Sequence, residues 1–184
     1  MVVKAGRFSF LARIFGPPEA AKGYQLAENY RVLRDALFST KREAMGVVGA
    51  ASPEGLWAVV METGYPEGVA TLAAVADGSV SLYFSQGGGV IGLGAQKGPR
   101  QAARVLLEAA PAFWDRLEVT TKFPLPREGH VRFYFLTPDS AHTAEAGREE
   151  LGAGRHPLCP LFERAQELVT EILLAEGKLN EKRW

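Results

Sequence analysis

Apolar positions divide this chain into segments of two periodicities. Between residues 56 and 86, and again between 130 and 146, they run continuously or alternate with small polar residues, the pattern of strands. Leu56–Thr63 is nearly unbroken, Val69–Ala76 is apolar on both sides, and Val80, Leu82 and Phe84 alternate with Ser81, Tyr83 and Ser85. Asp77-Gly78 between the last two runs predicts a two-residue type I′ hairpin. Val131, Phe133 and Phe135 alternate with Arg132, Tyr134 and Leu136 in a fourth strand, and Ala141–Ala146 follows Thr137-Pro138-Asp139-Ser140 as a fifth.

Helical spacing appears in four places. Phe8, Leu11, Ile14 and Phe15 share one side of an amphipathic arm (residues 1–22) that Pro17-Pro18 closes. Leu26, Tyr30, Leu33 and Leu37 predict a helix over 24–44, with Glu28, Arg31, Arg34, Asp35, Lys41 and Glu43 on a solvated side. A helix from Pro99 carries Ala102, Leu106, Ala109, Phe113 and Leu117, and Pro111 should kink or divide it. The strongest stripe, Leu161 to Leu173, opens at Pro160 and is expected to stop at Gly177. Thr120–Pro126 is too proline-rich for a central strand and could pair only at an edge.

The resulting order, α-βββ-α-ββ-α, predicts an α+β domain over residues 23–184: a two-layer α/β sandwich with a five-stranded antiparallel sheet and helices on one face. This order resembles the secretion-chaperone-like fold. The alternative, a roadblock/profilin-like fold, needs Thr121–Pro126 to be a strand. The segments METGYPEGVATL, SLYFSQGGGVIG and GRHPLCPLF are similar to those of a bacterial protein family without an assigned activity, so that resemblance implies no catalytic residues.

Composition narrows the function classes. The 184 residues carry 21 basic and 21 acidic side chains, so no bulk electrostatic term favours nucleic acid. One cysteine, Cys159, excludes an internal disulfide, and no His-x-x-x-His pair has ligand spacing; neither a metal nor a cofactor is expected. Without a signal peptide or membrane span, the expected location is cytoplasmic. Contact of Phe8–Phe15 with a membrane surface is the lesser reading of the arm, self-packing the greater.

Three candidate chemistries remain. Gly87, Gly89 and Gly92 satisfy G-x-G-x-x-G, but they follow an antiparallel hairpin rather than opening a βαβ helix, so the dinucleotide reading fails. A weaker anion site survives, with backbone N–H groups of Gly87, Gly88, Gly89 and Gly92 beside Lys97 and Arg100. His156 and Cys159 near a helix start could form a base–thiol pair, although a lone cysteine there is more commonly a small buried hydrophobe. Glu62 and Glu67 around Tyr65 read as solvent-facing acids of a Pro-Gly loop.

With helices on one face, the other face of the sheet would present Tyr83, Arg132, Tyr134 and Leu136, residue types enriched at interfaces. The leading expectation is therefore a non-enzymatic interaction module, a homodimer that binds a protein or peptide on this face. The alternative is a phosphate- or nucleotide-binding protein, or an enzyme, using residues 87–94.

Overall fold

The computed structural model describes residues 23–39 and 55–181. The N-terminal arm, the end of the first predicted helix and most of the segment after it lie outside the described residues. The elements are α1 (Glu28–Ser39), β1 (Ala58–Gly64), β2 (Val69–Val75), β3 (Val80–Phe84), β4 (Gly89–Ile91), α2 (Lys97–Ala109), β5 (Glu118–Thr120), β6 (His130–Leu136), β7 (Ala141–Gly147), α3 (Arg148–Gly152) and α4 (Cys159–Glu181). One antiparallel sheet holds seven strands in the order β4-β3-β2-β1-β6-β7-β5.

The expectation of an α+β chain built on an antiparallel sheet holds, but the sheet has seven strands rather than five. Both additions are short edge strands. β4 forms inside the glycine-rich exit, and β5 immediately precedes the proline-rich segment and pairs with β7 at the far edge. Three residues are too few to show a period in sequence, so neither strand announces itself by pattern.

The hairpin between β2 and β3 is present, but its turn is not type I′. Among the described residues none other than glycine has positive φ, so Asp77 does not adopt the conformation that turn requires. Gly78 N–H instead donates to Val75 O at 2.9 Å, Val75 N–H to Ser79 O at 2.9 Å, and Gly78 takes φ +89°. This is a turn followed by a left-handed glycine, the G1-bulge form of a three-residue loop. Asp77 Oδ1 accepts from Ser79 N–H at 2.7 Å and holds the loop.

The main core lies on one face. Val59, Met61, Leu72, Leu82, Phe133 and Phe135 point into a cluster filled by Ala103 and Leu106 of α2 and by Leu161, Phe162, Ala165, Leu168 and Ile172 of α4. Pro111 divides its helix as expected: α2 ends at Ala109, and a 3₁₀ stretch runs Ala110–Arg116. α4 starts at Cys159 and continues through Gly177 to Glu181, so Gly177 is not the stop that was anticipated. No described helix is long and apolar enough to cross a membrane.

The second face is also covered, which overturns the one-sided arrangement. Leu37 and Phe38 of α1, together with Phe123 from the segment after β5, pack on Trp57, Val60, Val75, Tyr134 and Leu136. Phe38 stacks on Phe123 with ring centroids 4.4 Å apart and meets Tyr134 edge-on at 4.9 Å. The Tyr134 hydroxyl donates to Pro124 O at 2.6 Å, tying this segment down.

Candidate functional site

Alternation along β1 sends Val59 and Met61 into the main core and Ala58, Val60 and Glu62 toward α1. Register places Glu62 opposite Thr71 on one side and Arg132 on the other, Thr71 opposite Tyr83, and Arg132 opposite Glu145. A single polar row therefore crosses five strands beneath α1, in the order Tyr83, Thr71, Glu62, Arg132, Glu145.

Arg34 of α1 closes over the middle of this row. Its Nε donates to Glu62 Oε1 at 2.7 Å and one terminal nitrogen to Glu62 Oε2 at 2.9 Å, while that nitrogen also reaches Phe123 O at 2.8 Å. Thr71 Oγ1 donates to Glu62 Oε1 at 3.2 Å and shares a 2.9 Å hydrogen bond with the Tyr30 hydroxyl. The Glu62 side chain is 0% exposed and that of Arg34 12%. Burial opposes the Arg34 charge, but the bidentate Glu62 carboxylate outweighs it and leaves the guanidinium pKa above its ordinary value. Burial, reinforced by the Glu62 charge, raises the pKa values of Tyr30, Tyr83 and Tyr134. At one end of the row Arg132 pairs with Glu145, which Arg127 also approaches at 3.4 Å.

This cluster was hidden by two sequence-level readings. Glu62 is not a solvent-facing loop acid but the centre of a strand, and Arg34 is not on a solvated side. The signals were present: a lone carboxylate interrupts an otherwise apolar strand, and Arg34 follows Tyr30 by four residues and precedes Leu37 by three. Of the four side chains expected on an open face, three are buried and one is partly covered. Tyr83 is 3% exposed, Tyr134 0% and Leu136 4%, because α1 and the Phe123 segment cover them; Arg132 is half-buried against Glu145.

The glycine-rich stretch is gathered at the β3–β4 turn and the entry to α2. Gly87, Gly88, Gly89 and Gly92 all have positive φ. The cations beside them do not converge on a free anion site: Arg100 Nε is committed to Gly94 O at 2.6 Å, and Lys97 is exposed at the first residue of α2. At Gly98, in the first turn of α2, an added Cβ would overlap Oε2 of Glu171 from α4. The chain's own carboxylate thus occupies the positive end of that helix, and its charge opposes an incoming anion.

The three histidines have separate partners. His130 Nδ1 donates to Glu128 O at 3.0 Å and its Nε2 lies 3.2 Å from Arg127, whereas His142 packs on Trp114 with centroids 4.6 Å apart and bonds Ser140 Oγ at 3.1 Å. His156 Nδ1 accepts from Leu158 N–H at 3.2 Å, and Cys159 Sγ accepts from His156 N–H at 3.2 Å. The imidazole nitrogen nearest in sequence is thus spent on the backbone, and the buried thiol reads as a helix-start contact. Among the described residues no group of three or more His, Cys, Asp or Glu could hold a metal ion.

The two sheet edges carry different chemistry. β5 begins at Glu118, is flanked by Arg116 and Lys122 and is followed by Pro124 and Pro126, charges and prolines of the kind that discourage further pairing. β4 has none of these: Gln86 to Gln96 contains no charged residue and no proline. Phe84 N–H donates to Gly88 O and Gly92 N–H to Val80 O, each at 3.2 Å, so the residues at this parity bond inward to β3. Gly89 and Ile91 therefore turn their backbone groups outward. The Ile91 side chain is 59% exposed, and among the described residues no strand lies outside β4.

No protein-family model, curated protein or solved structure matches this chain.

Proposed function

We propose that the chain is a non-enzymatic protein-interaction module that takes up an extended segment of a partner along the outer edge of β4. The observation that carries this reading is an edge strand, unpaired among the described residues and free of charge and proline, with outward backbone groups at Gly89 and Ile91. Strand addition needs no pocket: main-chain hydrogen bonds supply affinity, and alternate side chains supply selectivity. The chain itself packs on both faces of the sheet over β1, β2 and β6, which favours an edge over a face.

The test is a titration with a library of uncharged, β-branched hexapeptides, read by amide chemical shifts. Binding should perturb Gly89 and Ile91 first and be weakened by Ile91→Lys. Shifts confined to α1, α4 or the β5 edge would refute the reading.

A further inference from the structure

The β4 edge is complementary to itself. Val90 bonds inward to β3, so in a further antiparallel pairing it would stand as a non-hydrogen-bonded residue, with Gly89 and Ile91 as the bonded ones. Placing a twofold axis at Val90 sets each Ile91 opposite the other copy's Gly89, with the two Val90 residues facing each other. Gly89 cannot carry a side chain: its φ is +135°, and an added Cβ would come within 2.5 Å of Leu82 O and of Tyr83 Cα. Ile91 would thus face a residue that carries no side chain, since β3 backbone already fills the place its Cβ would take. Val90 packs toward the main core, so by register Gly89 and Ile91 belong to the opposite side of the sheet.

We propose that β4 pairs antiparallel with β4 of a second copy across a twofold axis at Val90, joining two seven-stranded sheets into one. The inference rests on β4 being the docking edge and names its occupant. The absence of charge from Gln86 to Gln96 suits it, since like charges would face each other across such an axis. So does the contrast with β5, where Glu118 and Lys122 defend the other edge. Three-residue strands bury less than a standard interface, so the dimer is weak and forms over about 10 µM to 1 mM.

Three measurements on the full chain test this. In sedimentation across that concentration range the protein should pass from monomer to dimer, and Ile91→Lys should raise the dissociation constant at least about tenfold without lowering the monomer's melting temperature. Exchange of the Gly89 and Ile91 amides should slow as concentration rises. Facing Val90 Cα atoms would be about 4.5 Å apart, so Val90→Cys should give a covalent dimer under a mild oxidant, and Val119→Cys on the β5 edge should not. A monomer at the highest concentration with no Val90→Cys cross-link overturns self-pairing; if hexapeptides still shift Gly89 and Ile91, the edge reading stands alone. A dimer that survives Ile91→Lys with unprotected β4 amides also overturns it, because the contact is then elsewhere.

Discussion

The ion pair between Arg34 and Glu62 should behave as a buried bidentate pair rather than as a surface salt bridge. Arg34→Ala removes three donor contacts and leaves a carboxylate with 0% side-chain exposure, hydrogen-bonded to the Thr71 hydroxyl at 3.2 Å and with Arg132 as its neighbour on β6. Breaking one partner of such a pair costs about 3–5 kcal/mol, because the remaining charge stays buried without compensation. An exposed pair would cost at most about 1 kcal/mol. At a urea m-value of about 2 kcal/mol/M, the larger figure moves the unfolding midpoint down by about 1.5–2.5 M. The double variant Arg34→Met with Glu62→Leu removes both charges and both desolvation penalties, so it should recover most of that loss. Urea titrations of the wild type, Arg34→Met, Glu62→Leu and the double variant, followed by tryptophan fluorescence, give the coupling energy from the cycle. A single-variant loss below about 1 kcal/mol, or a double variant no better than the worse single, would refute a dry α1–sheet contact and with it the covered second face.

Three further outcomes follow from the same packing. Tyr30, Tyr65, Tyr83 and Tyr134 all have pKa values raised chiefly by burial. Above pH 10 the unfolded chain has released these protons while the folded chain keeps them, so their contribution is fully present below about pH 10 and falls by about 1.4 kcal/mol per pH unit per tyrosine as pH rises. Absorbance at 295 nm should therefore rise together with loss of structure, not ahead of it; early, independent ionisation would contradict the burial. Gly64→Ala should destabilise by about 2–3 kcal/mol, because the added methyl overlaps the Arg127 carbonyl and lies 2.7 Å from the Tyr24 hydroxyl; an unchanged thermal midpoint would refute that approach. Glu171→Gln should cost about 0.3–1 kcal/mol through the lost charge at the start of α2, and 10 mM phosphate should leave the wild-type melting temperature in place. A phosphate-dependent rise abolished by Lys97→Ala would restore the anion site.

The long elements were legible because each follows a period imposed by its own backbone. Val131, Phe133 and Phe135 alternate, and Leu161, Ala165, Leu168 and Ile172 recur at helical spacing, before any tertiary contact forms. The Asp77-Gly78 reversal was also locally visible, although Gly78 alone, and not Asp77, takes the positive φ. β4 and β5 escaped because three residues cannot display a period and acquire their identity only from β3 and β7. The candidate site was the least legible part. Its edge consists of backbone groups that point outward only because Gly88 and Gly92 bond inward to β3.

By itself, then, the order of residues determined which stretches would become strands and helices and which side of each would seek a core, since those preferences reside in consecutive side chains. Tertiary structure decided what covers each side. Arg34 and Glu62 are both charged and each alone would favour water; they are buried because α1 lies across β1 and brings two nitrogens within 2.7–2.9 Å of two oxygens. That distance is a property of two segments 28 residues apart in the chain, and no local pattern encodes it.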